Sequence, residues 1–297
     1  MNCANRFVLG TAQLGMNYGI ANASGKPDQK SATEIVSAAW EGGVREFDTA
    51  QGYGDSESVL GKAIDELNIS GRVKIITKYS FNPKDGNWES LLEAVEKSLS
   101  RLKVPNIFQL MFHNENILEL WTDELSAHLE FIRHSGLVEK IGVSVYSPLN
   151  ALKALKIGVI DSIQIPSNIW DRRFEAARVF DCAGIYGKDV YVRSVFLQGL
   201  ICMEKEAVPA KLDMVAPLIQ KLDACCRMFN LTKQEIAAGY AILCYDKAQL
   251  VIGVESLDQL NSNLKLFNKQ YPTSLIVEIQ QQYQKVDDKI LNPYLWG

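Results

Sequence analysis

The sequence predicts an α/β fold, a closed (β/α)8 barrel, from three observations. Short apolar runs alternate with longer amphipathic stretches along the 297 residues, as in repeated strand and helix units around a parallel sheet. Eight of these runs have the length of strands, and eight strands close a barrel. No linker, low-complexity tract or longer repeat divides the chain. We therefore predict one domain, residues 1–297, with the architecture of a TIM barrel.

The predicted strands are apolar runs bounded by charged or turn-forming residues. They cover residues 6–11, 44–49, 73–78, 107–113, 138–144, 161–166, 189–194 and 249–254. Between them, apolar residues recur at intervals of three and four, which gives each helix a stripe that can pack on the barrel. The clearest stripes are Val59, Leu60, Ala63, Ile64 and Leu67, and then Trp88, Leu92, Val95, Leu99 and Leu102.

Several of the intervening helices carry recognisable start signals. In a capping box the first residue and the residue three positions later satisfy backbone N–H groups at the helix start. A serine before a first-turn proline is a second such signal. The pairs that match are Ser31 with Glu34, Thr232 with Glu235, Ser256 with Gln259, and Ser147 with Pro148.

Three stretches depart from the regular alternation. Residues 12–30 are rich in Gly, Asn and Ser and too long for a tight loop, so we expect them to cross the barrel mouth or bottom. Residues 195–231 insert extra helix after strand 7. Beyond Phe267 we expect a C-terminal helix over Leu275–Val286.

Composition and charge narrow the class of partner. The net charge of -4 and the pI near 5.6 disfavour a nucleic-acid or an anionic-membrane partner. The start, Met-Asn-Cys-Ala-Asn-Arg, lacks the apolar stretch of a signal peptide, and no run approaches the length of a membrane span. We therefore expect a cytoplasmic protein, a monomer or small homo-oligomer.

The cysteines lack the spacing of a metal site or a disulfide framework. None of them forms a C-x-x-C pair, so we expect free thiols. The six cysteines are Cys3, Cys182, Cys202, Cys225, Cys226 and Cys244.

Polar residues end three successive predicted strands. Asp48 ends the second strand, Lys78 ends the third and His113 ends the fourth, while Tyr53 follows Asp48 by five residues. Because the carboxyl ends of parallel strands lie side by side, these side chains can meet. A tyrosine has an ordinary pKa of about 10, and a nearby ammonium lowers it. We expect Lys78 to act in this way on Tyr53, and Asp48 to orient Lys78.

Each of these residues alone also has a structural interpretation. Asp48 could cap the following turn, Tyr53 could be an ordinary loop aromatic, and Lys78 could be a solvated strand end. The combination with His113 favours a catalytic set in which Tyr53 is a general acid.

The combination resembles the aldo/keto reductase family. That family has Asp-Thr-Ala-x-x-Tyr after the second strand, a lysine ending the third strand and a histidine ending the fourth. The matching residues here are Asp48, Thr49, Ala50, Tyr53, Lys78 and His113. Leu-Gly-Thr-Ala at 9–12 and Tyr-Gly-x-Ser-Glu-x-x-Leu-Gly at 53–61 are also similar to the family. The resemblance implies direct hydride transfer from NAD(P)H to a carbonyl carbon, with Tyr53 protonating the oxygen and His113 orienting it.

A dinucleotide would need a site outside the common loop motifs. The sequence contains neither G-x-G-x-x-G nor G-x-x-x-x-G-K-[ST]. In a barrel, phosphates bind the loops after strands 7 and 8 and a helix amino terminus. The resemblance implies cofactor contacts from Gly10, Thr11, Ser144, Gln164, Arg193, Ser194, Phe196, Leu197, Gly199, Gly253, Glu255, Ser256, Gln259 and Asn263.

Three of these segments depart from the family pattern. Arg193 stands where many relatives have an aromatic that stacks on the nicotinamide ring, although a guanidinium can also stack. Val145 replaces the asparagine that usually follows Ser144. Glu255 stands where relatives that demand NADPH often have a basic side chain. A carboxylate there would repel the 2′-phosphate and could bond a free ribose hydroxyl, unless it points to solvent. The family resemblance implies NADP(H), whereas Glu255 indicates a relaxed preference or one tilted to the alternative, NAD(H).

The substrate pocket is expected to be polar. Its predicted walls are Gln13, Met16, Tyr18, Tyr79, Asn114 and Tyr146, with Gln51 and the tail near Trp296. Amide and phenol groups suit a polar small-molecule carbonyl compound. The opening Gly-Thr-Ala-Gln-Leu-Gly-Met-x-Tyr-Gly-Ile also resembles a bacterial subgroup linked to surface-polysaccharide gene regions, which favours a sugar-derived aldehyde or ketone.

Two other functional classes stay open. A cofactor-binding sensor with little turnover, like the channel-associated β subunits of the family, would share the scaffold. A metal-dependent barrel lyase or isomerase is less favoured, because the strand ends offer a single histidine and no clustered carboxylates.

Overall fold

Eight parallel strands close into a barrel in chain order. The computed structural model describes residues 6–22, 24–80 and 89–296. Each strand pairs with the next, and the last pairs with the first. The strands are β1 (Phe7–Gly10), β2 (Glu46–Asp48), β3 (Lys74–Tyr79), β4 (Ile107–Phe112), β5 (Val138–Ser144), β6 (Ser162–Pro166), β7 (Asp189–Arg193) and β8 (Gln249–Gly253). The predicted TIM barrel is confirmed, and every boundary lies within two residues of the predicted one.

Helices surround the barrel on its outer side. They are α1 (Ala12–Gly15), α2 (Gln29–Glu41), α3 (Ser56–Glu66), α4 (Glu89–Leu102), α5 (Asp123–His134), α6 (Pro148–Ala154), α7 (Arg173–Ala176), α8 (Val179–Tyr186), α9 (Ala216–Phe229), α10 (Lys233–Cys244), α11 (Leu257–Phe267), α12 (Ser274–Gln282) and α13 (Asp288–Leu291). Short 3-10 helices cover Glu115–Glu119, Leu197–Cys202, Lys205–Ala207, Ala210–Val215 and Pro293–Leu295. The extra helices after β7 and at the C-terminus are therefore confirmed. The tail helix ends at Gln282, four residues before the predicted end at Val286.

The apolar core has two parts. The larger part lies between strands and helices and includes the stripe of α3, where Val59, Leu60, Ala63 and Ile64 are buried. The smaller part fills the inside of the barrel with Val8, Ile76, Met111, Tyr191 and Val251. Leu92, Val95, Leu99 and Leu102 also contribute to the outer core, whereas Trp88 and Cys3 lie outside the described residues.

The inside of the barrel is polar at both of its ends. At the amino-terminal end of the strands, the Tyr191 hydroxyl donates a hydrogen bond to Glu46 Oε2 at 2.9 Å. At the carboxyl end, Asp48, Lys78 and Gln164 are almost completely buried. Since β-strand side chains alternate between faces, Asp48 and Glu46 both point inward, on either side of the apolar filling. The catalytic candidates therefore lie at the carboxyl rim.

Two of the predicted helix starts are found. Thr232 Oγ1 accepts a hydrogen bond from the Glu235 N–H at 3.2 Å, and Glu235 Oε2 accepts one from the Thr232 N–H at 2.8 Å, which is a complete capping box. Ser256 Oγ accepts from the Gln259 N–H at 3.2 Å. The Gln259 side chain instead accepts a bond from the Glu255 N–H at 2.9 Å, so this cap lacks the reciprocal bond.

The other two predicted starts need correction. The prediction at Ser31 is wrong, because α2 begins earlier and Asp28 is its N-cap, with Oδ1 accepting from the Ser31 N–H at 2.8 Å. Ser147 is the N-cap before Pro148, but its side chain makes no capping bond. The Ser147 N–H donates instead to Glu115 Oε2, 3.1 Å away, from the preceding connection.

The long loop after α1 crosses the barrel mouth. The Ala21 N–H donates to the Gln198 carbonyl at 3.4 Å, which ties this loop to the connection after β7. A Cβ built on Gly199 would lie 2.5 Å from the Ala21 methyl, so the two loops are in close contact. Of the two positions predicted for residues 12–30, the mouth is the observed one.

The described residues contain no membrane-spanning helix, disulfide or metal-binding cluster. None of the helices in residues 6–22, 24–80 and 89–296 is both long and apolar enough to cross a membrane. The five cysteines in this part of the chain are free, and no group of His, Cys, Asp and Glu in it could hold a metal ion.

Candidate active site

A buried ion pair forms the base of the site. Lys78 Nζ donates to Asp48 Oδ1 at 2.5 Å and to the Thr49 carbonyl at 3.1 Å. The two charged side chains are 1% and 4% exposed. Burial lowers the pKa of Lys78, and its attraction and hydrogen bond to Asp48 oppose that shift. The predicted meeting of Asp48 and Lys78 is therefore observed.

Tyr53 and His113 lie directly beside this pair. Lys78 Nζ is 5.0 Å from the centre of the Tyr53 ring. The Tyr53 and His113 rings meet edge to face, with centres 5.5 Å apart and planes at 83°. The His113 N–H donates to the Tyr79 carbonyl at 2.9 Å, which continues the strand pairing one residue beyond β4. All four predicted catalytic side chains thus meet at the carboxyl rim.

The expected lowering of the Tyr53 pKa is wrong. Burial raises the pKa of this phenol well above its ordinary value of 10.0, and the charge of Asp48 adds to the rise. The reason is that Asp48 lies within hydrogen-bond distance of Lys78, so the pair presents little net positive charge to the ring. Arg193 is the cation that opposes the rise. At neutral pH Tyr53 therefore keeps its proton and can donate it.

His113 is held in its neutral form. Burial, and then the nearby charges of Lys78 and Arg193 acting in the same direction, together lower its pKa from 6.5 to about 4. A neutral imidazole has one N–H to donate and one nitrogen that accepts. His113 can therefore act as a hydrogen-bond donor beside Tyr53 without carrying a charge.

A buried serine fixes the loop that carries Tyr53. The Ser56 hydroxyl donates to the Thr11 carbonyl at 2.8 Å and lies 2.9 Å from the hydroxyls of Thr11 and Thr49. It therefore joins the loops after β1 and β2. A Cβ on Gly15 would lie 1.9 Å from the Tyr53 carbonyl, so α1 also packs tightly on this loop. These contacts explain the serine in the Tyr-Gly-x-Ser-Glu motif.

The glutamate of the same motif anchors β3. Glu57 Oε1 accepts from the Thr77 hydroxyl at 2.6 Å, and Glu57 Oε2 accepts from Arg101 Nε at 2.6 Å. Glu57 is only 2% exposed. Since Thr77 precedes Lys78, this network ties the strand that presents the lysine to α3 and α4. Sequence analysis matched Glu57 to the motif but assigned it no role.

A cavity of about 380 Å³ opens at this rim, between the loops after β1, β7 and β8. Asp48 and Tyr53 are part of its wall. Most of the predicted cofactor residues line it: Gly10, Thr11, Gln164, Arg193, Ser194, Phe196, Gly199, Gly253, Glu255, Gln259 and Asn263. Catalytic candidates and cofactor candidates therefore share one cavity.

The wall of this cavity fits a dinucleotide with a carboxamide. Gln164 Nε2 donates to Asp48 Oδ2 at 2.7 Å, while Gln164 Oε1 is buried and has no hydrogen-bond partner among the described residues. A carboxamide N–H would satisfy that oxygen. Leu197, Gln198 and Gly199 have φ values of 47°, 55° and 87°. The Leu197 and Gly199 N–H groups donate to the Ser194 and Phe196 carbonyls, at 2.9 Å each, so they hold a tight turn at the cavity wall rather than an open anion site.

Three predicted cofactor residues lie off the cavity wall. Ser144 is buried at the end of β5, where Val145 continues the chain and is buried as well. Leu197 is 1% exposed and packs into the apolar core. The Ser256 hydroxyl is occupied in capping α11. Leu197 and Ser256 are therefore engaged in packing and capping, whereas the role of Ser144 stays a prediction.

The predicted substrate residues divide into two groups. Gln13 and Tyr18 line the cavity, whereas Met16, Tyr79, Asn114 and Tyr146 do not. Gln13 packs against Gly253, where a Cβ would lie 2.4 Å from Gln13 Oε1. Asn114 accepts from the Asn116 N–H at 2.9 Å and so caps a 3-10 helix.

Two weaker predictions are also corrected by their hydrogen bonds. The Gln51 amide donates to the Ala94 carbonyl at 3.0 Å and to Ser98 Oγ at 2.8 Å, which turns it toward α4. Trp296 is 8% exposed and donates to the Lys289 carbonyl at 3.1 Å, so it anchors the tail.

The tail reaches the site through Tyr294 instead. The Tyr146 hydroxyl donates to the Tyr294 hydroxyl at 3.3 Å, and the rings meet with centres 5.7 Å apart. The Arg193 guanidinium stacks on the Tyr146 ring, with Cζ 4.2 Å from its centre. Tyr146 therefore lies behind Arg193, next to the cavity wall. The tail motif gave no indication of which aromatic would face the site.

Part of the cavity wall was not predicted from the sequence. The additional lining residues are Ala12, Gly19, Ala21, Val195, Gln198, Cys202, Met203, Gln234, Val251 and Ile252. Gln198 was identifiable, since it precedes Gly199 in a segment already selected. Gln234 was not, because it lies on α10 and reaches the cavity through a bond from its Nε2 to Asn263 Oδ1 at 2.8 Å.

Comparisons with known proteins give one consistent family. The sequence model described as "Aldo/keto reductase family" matches residues 6–284. The aldo-keto reductase YhdN of Bacillus subtilis is 28% identical over 207 residues, 67% of this chain and 59% of that protein. The alignment thus spans less than two thirds of that relative.

Two further matches extend over nearly the whole chain. A protein of Bacillus subtilis described as "Uncharacterized oxidoreductase YqkF" is 25% identical over 300 residues, 94% of this chain and 96% of its own length. The solved structure of an aldo-keto reductase from Bacillus halodurans, in its holo form, has a TM-score of 0.74 and 22% identity. That likeness covers 97% of this chain and 95% of the other and concerns the fold.

Proposed function

The chain belongs to the aldo/keto reductase family of oxidoreductases, and from this premise we propose that it reduces a small aldehyde or ketone to the alcohol with NAD(P)H. The observation that carries the proposal is the convergence of Tyr53, His113 and the Asp48–Lys78 pair on one cavity rim. The same cavity has an unpaired amide oxygen on Gln164, which supports a nicotinamide dinucleotide as the second reactant. The closed barrel and the match over 6–284 further support one domain over residues 1–297.

In the proposed mechanism, the bound cofactor supplies a hydride to the carbonyl carbon. Tyr53 donates its phenolic proton to the carbonyl oxygen, and the neutral His113 donates a hydrogen bond to the same oxygen. Arg193, the cation that opposes the rise of the Tyr53 pKa, stabilises the phenolate that forms. The oxygen thus becomes a hydroxyl, and Tyr53 regains a proton from solvent.

The residues that would hold the cofactor follow from the cavity wall. Gln164 Oε1 would accept from the nicotinamide carboxamide, and the loop after β7, which lines the cavity with Gln198 and Gly199, would lie against the pyrophosphate. Gly253 and Asn263 would contact the adenosine portion, as the family resemblance implies. Glycine at 199 and 253 keeps the backbone accessible, since a Cβ at either position meets a neighbour within 2.5 Å.

We further propose that this chain accepts NADH as well as NADPH. Glu255 lines the cavity, and burial raises the pKa of its carboxyl group. Among the described lining residues, Arg193 is the only Lys or Arg. Arg193 lies beside the catalytic tyrosine, so no lining cation remains for a 2′-phosphate near Glu255.

Substitution of the proposed acid tests the function. Tyr53→Phe should lower kcat for reduction of 4-nitrobenzaldehyde by about a hundredfold to ten-thousandfold, because it removes the hydroxyl that carries the transferable proton and keeps the ring. Nucleotide affinity, measured by quenching of tryptophan fluorescence with NADPH, should stay within about twofold. The matched control is Tyr186→Phe, which alters a tyrosine that is 47% exposed on α8.

The experiment also separates the two functional classes. Undiminished reduction by Tyr53→Phe would contradict the assignment of the acid. Wild-type protein that binds NADPH tightly but reduces no aldehyde would instead support a cofactor-binding sensor. The assembled set of four catalytic candidates favours the enzyme.

A further inference from the structure

Arg193 is the unusual charge of the site. It ends β7, lines the cavity with Tyr53 and Gln164, and lies over the Tyr146 ring. Its Nη1 makes one long hydrogen bond, 3.4 Å, to Ser194 Oγ. Its Nη2 is buried and has no hydrogen-bond partner among the described residues. A buried guanidinium nitrogen without an acceptor is costly, which indicates that a ligand supplies one.

The surrounding charges leave Arg193 uncompensated. Asp48 and Glu255 are the carboxylates among the described lining residues. Asp48 is occupied by Lys78 at 2.5 Å and by Gln164 at 2.7 Å. No described carboxylate lies within ion-pair distance of Arg193, although other arginines such as Arg173 and Arg101 are paired. The reacting end of the cavity thus has one positive charge in excess.

Phenol groups surround this charge. The Arg193 charge acts on Tyr18, Tyr53 and Tyr146 and opposes the rise of their pKa values that burial causes. Burial nevertheless raises the pKa of Tyr146 to about 12, so its hydroxyl stays protonated at neutral pH. A guanidinium among neutral hydroxyls offers hydrogen-bond donors and no competing anion.

We propose that Arg193 is a substrate-binding residue and that the substrate is an aldehyde or ketone that carries a carboxylate. The proposal rests on the proposed reductase function and specifies its substrate class. A planar guanidinium matches the two oxygens of a carboxylate. The anion would lie beside Tyr53 and His113, where the carbonyl group reacts, so the carboxylate and the carbonyl are separated by a few bonds.

A matched pair of aldehydes tests the charge preference. We would measure kcat/KM with saturating NADPH for 4-carboxybenzaldehyde and for its methyl ester, which has nearly the same shape and no charge. Wild-type protein should prefer the acid by about tenfold to a hundredfold, the range for one charge-assisted hydrogen bond. Arg193→Met should abolish the preference, and Arg193→Lys should retain part of it. Equal rates with both aldehydes in the wild type would overturn the proposal.

The control and the cofactor measurement assign the effect to the substrate. Arg227→Met removes one exposed positive charge from α9 and should leave the preference unchanged. The dissociation constant for NADPH should change less than about threefold in Arg193→Met. A large loss of NADPH affinity with an unchanged acid-to-ester ratio would show that Arg193 serves the cofactor, and the proposal would be wrong.

Ligand binding at equilibrium tests the role of Arg193 even if neither aldehyde is reduced. Should the wild type reduce neither aldehyde, the reductase function is contradicted. Binding of benzoate and benzamide to the NADPH complex still tests Arg193, because only benzoate is charged. Selective binding of benzoate that Arg193→Lys weakens would support the anion site, and equal binding of the two would refute it. Tighter binding of phenylphosphonate than of benzoate would overturn the choice of carboxylate in favour of a phosphorylated substrate.

Discussion

At the scale of single residues, burial rather than nearest charge sets the properties of the site. Burial disfavours the charged form of both Tyr53 and His113. It therefore raises the pKa of the phenol and lowers the pKa of the imidazole. Lys78 does not lower the Tyr53 pKa because Asp48 neutralises it. The sequence predicted all four side chains and the pairing of Asp48 with Lys78, but not that this pairing would offset the ammonium charge at Tyr53. The strength of that ion pair and the depth of burial depend on tertiary packing, which no local pattern specifies.

The proposed role of Glu255 can be tested through the preference for NADPH or NADH. Glu255→Lys should shift the ratio of kcat/KM for NADPH over NADH upward by about tenfold, because repulsion of a 2′-phosphate becomes attraction. Glu255→Gln should give an intermediate shift. Steady-state kinetics with both nucleotides and one aldehyde measures the ratio.

A distant charge reversal is the control for this prediction. Glu96→Lys makes the same change on the exposed side of α4 and should leave the ratio unchanged. A strong NADPH preference in the wild type would contradict the proposed role of Glu255.

At the scale of elements, the loops that meet over the cavity were predicted in position but not in detail. The long segment after α1 was expected at the mouth or the bottom, and its Ala21 contact with Gln198 selects the mouth. The helix starts at Thr232 and Ser256 were correct, whereas that at Ser31 failed because Asp28 competes as the cap. Local signals locate elements well, but a choice between neighbouring caps depends on how the chain enters the helix.

The contact between the two loops can be tested at Gly199. Alanine there would have a positive φ of 87° and a Cβ 2.5 Å from the Ala21 methyl. We expect Gly199→Ala to weaken NADPH binding about tenfold, as overpacking of 1–3 kcal/mol displaces the loop. Fluorescence titration with NADPH measures this.

Two variants separate the clash from the backbone strain. Gly43→Ala has a similar φ of 91° but meets nothing within 4 Å, so it should lose about 1–2 kcal/mol of stability without a change in affinity. Adding Ala21→Gly to Gly199→Ala should restore binding. A double variant that binds as weakly as Gly199→Ala would refute the clash.

At the scale of the whole molecule, the architecture was the most predictable property. The alternation of apolar and amphipathic stretches predicted both ends of every strand to within two residues. A strand that is buried on both faces must be apolar, and this makes it recognisable in the sequence. The contacts of Tyr146 with Arg193 and Tyr294 join residues from three distant parts of the chain. No short-range pattern in the sequence predicts such a contact, and it is there that the substrate predictions were least accurate.

The stability of the whole fold should depend on pH through His113. Its pKa is about 4 in the folded protein and about 6.5 when unfolded, so between these values the unfolded chain binds the additional proton. Stability should therefore fall as the pH drops from 6.5 to 4, by up to about 3 kcal/mol. Urea unfolding of His113→Asn across this range should show a smaller loss than the wild type.

An exposed histidine provides the comparison for this pH effect. The His134 side chain is 79% exposed, and His134→Gln should leave the pH dependence of unfolding nearly as in the wild type. An identical pH profile for His113→Asn and the wild type would contradict the prediction.

The apolar filling of the barrel also separates the two polar ends of the barrel interior. Val8, Ile76, Met111, Tyr191 and Val251 lie between the Glu46 end and the Asp48 end. Ionisable groups on the Glu46 side are therefore separated from the rim by a layer of mainly apolar side chains. Substitutions that change thermal stability at the Glu46 end should therefore leave the proposed catalytic residues at the rim unaffected.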